Sequence, residues 1–447
     1  MNTKELTSGN PFKLILLFML PMFIGNVFQQ LYNFTDAIIV SRVIGIKSLA
    51  AVGASAALIF LVISFIFAST QGFTVITAQR FGAKDYVNVR KSFAASIILS
   101  FWLTLILTLM SAPFTENLLI WLRTPSDIME DATKYLFIML VGIFATVYYN
   151  LSSNVIRALG NSKTPLHFLI FSVFLNIFFD LLFVVKFRWG IEGAGWATVL
   201  SQAIATVCCV IYMFWKFPIL HLKKSDFDIK WDFYYEHLKT GIPMGIQMSV
   251  MTLGMIAVQY VLNSFGSKAI AAFTTAMRVD QMFSQSLLAL GATMSVFAAQ
   301  NFGAKKMSRI REGAKSAMYI AGLISLISFV LIKLFGTNIV ALFMTEIDNE
   351  VMEMATLYLN IIVIFFIFLG ILFIFRNILQ GMGQVIAPLI SGFAELIARV
   401  VFAFVFGSYF GFLGVCTATP AAWISGALIL FLCYKISLLK IAKRHSN

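Results

Sequence analysis

The chain has 447 residues, of which 60% are hydrophobic and 12% charged, with a mean hydropathy of +0.89 and a formal net charge of +13. A soluble domain this apolar has too little polar surface to cover itself, so an ordinary soluble enzyme is excluded. The basic excess needs an explanation other than nucleic acid, and topology supplies one.

Runs of about 20 apolar residues recur, each long enough to cross a bilayer as a helix. Twelve are predicted, at 12–40, 48–75, 92–115, 132–156, 164–186, 192–216, 238–263, 269–298, 315–338, 354–378, 385–408 and 412–436. Strong β alternation is absent, which argues against an outer-membrane barrel. The first run follows a short polar stretch, lacks a small-residue cleavage site and is too long for a signal h-region, so it reads as retained. With the N-terminus in the cytoplasm, the inward segments hold about 23 Lys and Arg and the outward loops about eight, which places both termini in the cytoplasm and the chain in the cell membrane. The fold class is therefore all-α and membrane-embedded, with twelve transmembrane helices.

Span 1 carries Pro21, where a kink is expected, then a polar stretch of Gln29, Gln30, Tyr32, Asn33 and Asp36. The next span ends in QRFGAK at 79–84, and QNFGAK returns at 300–305, 221 residues later. Pro243 answers Pro21, RALGNSKTPL at 157–166 answers QGMGQVIAPL at 380–389, and GIEGAGWAT at 190–198 answers GFLGVCTAT at 411–419. The chain is two copies of one six-span unit. An even number of spans per copy makes them parallel repeats around a central cavity, a common transporter design. The boundaries are 1–220 for an N-lobe, 221–237 for a polar cytoplasmic linker and 238–447 for a C-lobe. Trp231, Phe233 and Tyr234 in the linker suit a membrane interface.

Four acidic residues fall inside spans: Asp36, Asp180, Asp280 and Glu395. A carboxylate in hydrocarbon costs about 2.5–3.5 kcal/mol on insertion scales, so each needs a partner or a cavity. Hairpin geometry tests whether they meet. Spans 5 and 6 turn near Trp189, which puts Asp180 and Thr198 at one depth, about 13 Å below the outer surface. Asp36 reaches a similar depth. Asn176 shares a helix face with Asp180 at i,i+4, and Asn150 of span 4 comes within about a turn of Asn176. Two carboxylates, two amides and a hydroxyl at one depth suit Na⁺, or a proton trapped between like charges. A hydrogen-bonded polar core is the alternative, and Asp36 also reads as an interfacial residue. The second half offers Arg278 and Asp280 in span 8 and Glu395 with Arg399 in span 11, the latter spaced for an i,i+4 ion pair. Arg376 reads as a snorkelling residue at the inner end of span 10. Arg278, Asp280, Glu395 and Arg399, with Gln29, Gln30, Tyr32 and Asn33 of span 1, are the candidate lining of a substrate cavity.

LPMFIGNVFQQLYNFTDAIIVSRVIG at 20–45, AQRFGAKD at 78–85, RALGNSKTP at 157–165 and NIFFDLLF at 176–183 together resemble the multidrug and toxic compound extrusion (MATE) family, in its bacterial DNA-damage-inducible-like branch. The resemblance implies a two-lobed exporter of lipophilic organic cations and drugs, driven by H⁺ or Na⁺ antiport through alternating access. It implies a coupling site at Asp36, Asn150, Asn176, Asp180 and Thr198, with any Na⁺ held by Asp36, Asn176 and Asp180. The chain departs from another branch of the family that uses acids in spans 7 and 10. Here span 7 offers Gln247 and Gln259, and span 10 no acid.

The rival within the wider superfamily is a flippase for lipid-linked oligosaccharide or lipid, which would be expected to line its cavity with more cations. An enzyme would need a nucleophile or metal cluster at membrane depth. His221, His237 and His445 fall in cytoplasmic segments, His167 at the inner mouth of span 5, and the four Cys show no zinc or disulfide spacing. No catalytic residue and no cofactor beyond the coupling ion are expected. The expected partners are small organic cations and membrane lipids, with no nucleic acid, and the expected state is monomeric. The 20 Met and 46 Phe suit flat cationic ligands, although Phe is also simply common on lipid-facing helices.

Overall fold

A computed structural model describes residues 5–344 and 348–446, and the side chains of Phe34, Ile46, Ala57 and residues 440–446 are left aside. Lys4, and the side chains of Lys440, Lys443, Arg444 and His445, which entered the charge and histidine readings above, lie outside what is described. All regular structure among the described residues is helical. The long helices are α1 (Pro11–Ile39), α2 (Ile46–Gly82), α3 (Tyr86–Ser111), α4 (Met129–Val141), α5 (Ile143–Ala158), α6 (Lys163–Asp180), α7 (Gly190–Lys216) and α8 (Trp231–Leu262). They continue as α9 (Ser267–Gly303), α10 (Met307–Ala341), α11 (Asn349–Ile362), α12 (Phe366–Gly381), α13 (Ile386–Val401) and α14 (Ala418–Ser446).

Among the described residues, eleven helical segments are long and apolar enough to cross a membrane, and twelve if α4 and α5, which meet at a 42° bend, form one span. The protein is therefore a multi-pass membrane protein. The helices run on through Pro21 and Pro243, so neither proline ends its span. The sharp bend falls at Gly142 instead, in a stretch that the hydropathy pattern treats as one helix. Glycine is required there, because a Cβ would lie 2.1 Å from Val199 Cγ2 of α7.

The chain divides into two compact units. Unit 1 comprises residues 1–5 and 24–245, and unit 2 comprises 6–23 and 246–447. The sequence boundaries at 220 and 238 miss two features. First, α8 starts at Trp231, within the expected linker, and its first 15 residues belong to unit 1. Second, residues 6–23 belong to unit 2. Ile15, Phe18, Met19 and Met22 sit at i, i+3, i+4 and i+7, one helical face, and this face is buried in the unit 2 core.

In unit 1, α2 packs against α3, α4 and α5; in unit 2, α9 packs against α10, α11 and α12. The repeat extends to backbone conformation. Lys84 and Lys305, 221 residues apart, both adopt the left-handed conformation, with φ of 59° and 57°. Each closes a helix by the same pair of bonds. Lys84 N donates to Phe81 O and Asp85 N to Arg80 O, while Lys305 N donates to Phe302 O and Lys306 N to Asn301 O. This is the Schellman stop, usually made with glycine.

Each FGAK stop receives the chain entering the other half's first span, the turn before α1 in unit 2 and the first turns of α8 in unit 1. In unit 2, Leu6 N donates to Gln300 Oε1 at 2.9 Å and Asn301 Nδ2 to Leu6 O at 3.2 Å. Lys306 Nζ donates to Thr7 O at 2.9 Å and Arg309 Nη1 to Gly9 O at 3.0 Å. In unit 1, both carboxylate oxygens of Glu236 accept from Arg80 Nη2, at 3.1 and 2.9 Å. His237 is fully buried rather than in an open linker. Its Nδ1 lies 2.8 Å from Phe233 O, which only accepts, so that nitrogen carries the hydrogen. Nε2 lies 2.8 Å from Ser92 Oγ, itself 2.8 Å from Thr77 Oγ1. Trp231 is exposed, as an interfacial residue should be, while Phe233 lies under the Arg80 guanidinium at 5.8 Å.

This docking brings backbones together in unit 1. A Cβ on Gly241 would stand 2.3 Å from the Phe73 ring and 2.7 Å from Ser69 O, and one on Gly72 would stand 2.5 Å from Gly241 Cα. Gly241→Ala is therefore expected to lower stability by about 1–3 kcal/mol through overpacking. A thermal unfolding curve in detergent checks this, and an unchanged midpoint would mean that the contact relaxes freely.

Candidate functional site

Unit 1 encloses a cavity of about 360 Å³ lined by stripes from six helices. From α1 come Gln29, Tyr32, Asn33 and Asp36, spaced i, i+3, i+4 and i+7. Thr146, Tyr149 and Asn150 come from α5, and Leu169, Ser172 and Val173 from α6. Ile63 and Phe67 of α2, Tyr135 and Met139 of α4, and Thr198 and Gln202 of α7 complete it. The α6 stripe continues at the same spacing to Asn176 and Asp180, both of them buried, Asp180 with no exposed surface at all. A π-helical turn, Leu181–Lys186, begins straight after Asp180, and another, Val40–Ile44, follows Asp36 by one turn. Such widened turns frequently mark functional positions in membrane helices.

The polar groups at the base of this cavity are short of donors. The Thr198 hydroxyl is the hub: Tyr32 Oη lies 3.1 Å from Thr198 Oγ1, and Asn176 Nδ2 donates to it at 3.5 Å. Beyond it, four buried oxygens find no hydrogen-bond donor among the described residues: Asp36 Oδ1, Asn176 Oδ1 and both carboxylate oxygens of Asp180. Asp36 and Asp180 stand within interacting distance of each other. The one hydrogen bond they can make together needs a proton shared between them. Orphaned oxygens from two carboxylates and an amide are hard ligands for a cation, and removing that positive charge leaves two like charges side by side.

The structure thus brings Asp36, Asn176, Asp180 and Thr198 together. Asn150 lines the same cavity, with its amide tied to its own helix by a 2.9 Å bond to Thr146 O. Gln29, Tyr32 and Asn33 face the cavity; Gln30 does not line it. Tyr135, Tyr149, Thr146, Gln202 and Phe67 were missed. The available signal was spacing, since Thr146 and Gln202 lie one helical turn from the chosen Asn150 and Thr198, and they hydrogen-bond to each other.

Unit 2 corrects the reading of the other charges. Glu395 does not pair in contact with Arg399. Its ion-pair partner is Arg376 of α12, and Ser391 Oγ also donates to it, at 2.9 Å. Arg376 is buried and does not snorkel. A pair from one helix costs little to expose, whereas a pair bridging α12 and α13 inside the unit gives each buried charge its neutralising neighbour. Arg278 is exposed, and Asp280, Glu395 and Arg399 are buried in the interior of unit 2.

The MatE family pattern matches residues 21–182 and 243–405, one stretch in each half. The chain belongs to the MatE family. It is 30% identical over 448 residues, 99% of both chains, to the probable multidrug resistance protein YpnP of Bacillus subtilis. It is 28% identical to the probable multidrug resistance protein YoeA of the same species, over 96% of this chain and 94% of that protein. It is 26% identical to the probable multidrug resistance protein NorM of Thermotoga maritima, over 91% and 86%. Two solved structures share its fold at 24% identity and a TM-score of 0.92. One is a MATE in complex with MaL6, covering 98% of this chain and 99% of that one, and the other an outward-facing multidrug resistance MATE family transporter, covering 98% of each.

Two substitutions separate the clusters. Thr198→Val removes the hydroxyl partner of Tyr32 and the acceptor for Asn176 and is expected to cost about 1–3 kcal/mol. Glu395→Gln strands the Arg376 cation and is expected to cost about 3–5 kcal/mol, of which Glu395→Gln with Arg376→Met recovers a part. Thermal unfolding of the three purified variants checks both. A double variant no better than Glu395→Gln alone would contradict the pairing.

Proposed function

We propose that this MatE family protein is a secondary active multidrug exporter that couples entry of H⁺ or Na⁺ to extrusion of lipophilic organic cations by alternating access. The observation that carries the reading is the set of donor-less oxygens of Asp36, Asn176 and Asp180 under an aromatic cavity within the membrane-spanning part of unit 1. A fixed structural core would satisfy these oxygens; a coupling site must leave them free for an ion that comes and goes. The cavity suits the cargo. Tyr32, Tyr135, Tyr149 and Phe67 offer ring faces, and Asp36 a negative charge, which together favour flat cations. The relatives named as multidrug resistance proteins support the same substrate class.

In this reading the working unit is one chain with both termini in the cytoplasm and with units 1 and 2 as its two lobes. Asp36 and Asp180 hold the coupling ion, Asn176 and Thr198 orient them, and Asn150 borders the site from α5. The flippase reading finds less support, because the described lining of the cavity contains no Lys, Arg or His to meet a phosphate.

Cells expressing the protein are expected to accumulate less ethidium than control cells, and collapsing the ion gradients should remove the difference. Asp36→Asn or Asp180→Asn should reach the membrane at the normal level yet lose the gradient-dependent efflux. Full efflux by Asp180→Asn would return Asp180 to the role of a structural core residue, and no efflux across a broad dye panel, alongside lipid-linked glycan flipping, would favour the flippase.

A further inference from the structure

Unit 2 gathers four charged side chains inside the membrane-spanning part: Asp280 on α9, Arg376 on α12, and Glu395 and Arg399 on α13. They are 7%, 5%, 2% and 3% exposed, respectively. Two acids and two guanidinium groups balance in formal charge, but they do not balance in contacts. Arg376 and Glu395 form a contact ion pair, with Ser391 on the same carboxylate oxygen. Asp280 has only the hydroxyl of Ser284, one turn along its own helix, at 3.1 Å. Arg399 makes no hydrogen bond among the described residues, and its buried Nε has no acceptor.

Asp280 and Arg399 nevertheless stand within electrostatic reach of each other, with Tyr358 and Glu395 beside them and Arg376 behind Glu395. A permanent staple would close that gap, as Arg376 and Glu395 have done in the same cluster. A buried charge left out of contact is costly, and the ordinary relief for a buried carboxylate is to take up a proton.

We propose that Asp280 is a second proton-exchanging carboxylate, in unit 2, with Arg399 as the cation that responds to its charge. With Asp280 ionised, Arg399 is drawn to it. A proton taken from bulk water onto an Asp280 oxygen converts carboxylate to carboxylic acid and releases Arg399 toward Glu395, one helical turn away on α13. Glu395 is then shared by two guanidinium groups, and Arg376 keeps its other contact, Nη1 to Met251 Sδ at 3.2 Å. Two glycines leave room for the two positions. A Cβ on Gly254 would lie 3.3 Å from Arg399 Nη1, and one on Gly426 would lie 2.7 Å from Glu395 Oε1. This inference rests on the ion-coupled reading of unit 1 and extends it to a site whose acids lie on α9 and α13.

The test counts protons released when ethidium binds to the purified full-length protein, in weakly buffered detergent with a pH-indicator dye, across a pH series. Asp280→Asn is expected to release about one proton fewer per ethidium bound than the unaltered protein, because one linked group is gone. Arg399→Gln is expected to shift the pH of maximal release, and Asp280→Glu to keep the proton count with a displaced profile. A folded Asp280→Asn with the unaltered count and profile would overturn the proposal. Should Asp280→Asn not fold, Asp280→Glu and Arg399→Lys carry the test, and two unshifted profiles would reduce the cluster to a staple. Asp180→Asn distinguishes the two readings. Loss of all release in Asp180→Asn with none lost in Asp280→Asn removes only the unit 2 site. Unchanged release in Asp180→Asn, with a reduced count in Asp280→Asn, removes proton exchange from the unit 1 site, leaving Na⁺ as its ion, and keeps this proposal.

Discussion

A carboxylate in hydrocarbon must be neutralised, and beside the unit 1 cavity two acids are short of the donors to do it. Among the described residues Asp180, with no exposed surface, has no partner on either oxygen, and Asp36, which lines the cavity, has one orphaned oxygen. The surrounding geometry follows from that constraint. The stripes on α1 and α6 turn both acids to one place, and the Thr198 hydroxyl is engaged with Tyr32 and Asn176. In the proposed reading the remaining positive charge arrives from outside the chain as a mobile cation, whose gradient would then serve as the energy source.

The two repeats keep the frame and change the chemistry. Both have an FGAK helix stop with a left-handed lysine, both receive on it the chain entering a first span, and π-helical turns at Leu181–Lys186 and Phe402–Phe406 recur at the repeat offset. The charges differ. At its cavity unit 1 places Asp36 and Asp180 without a cationic side chain in contact, whereas the buried cluster of unit 2 supplies its own guanidinium groups and makes one contact pair from the four. Internal duplication thus conserves helix ends and close backbone approaches, which depend on backbone geometry. Buried charges are free to diverge, provided that each unit finds its own way to neutralise them.

Much of this was legible from the chain. Hydropathy gives the spans because length and apolarity are what a bilayer demands, and counting from the turn at Trp189 places Asp180 and Thr198 together because helical rise is constant. What failed was whatever depends on packing between helices. The i,i+4 spacing of Glu395 and Arg399 sees one helix, while the true partner, Arg376, stands on another. The first half of α1 belongs to unit 2 because of the pocket around Gln300 and Arg309, which no local pattern reveals. Tyr135 and Tyr149 pass as ordinary aromatic residues of a membrane helix until neighbouring stripes enclose a cavity with them. His237 looks like a linker residue because the polar stretch around it hides a helix start at Trp231.

The central claim is that the donor-less acids of unit 1 hold the ion that drives transport. The most direct measurement is ethidium transport by purified protein in liposomes, with a Na⁺ gradient and a pH gradient imposed separately, for the unaltered chain and Asp180→Asn. The account requires that at least one gradient drive transport in the unaltered chain and that neither do so in a folded Asp180→Asn. Equal gradient-driven transport by the two proteins would contradict it.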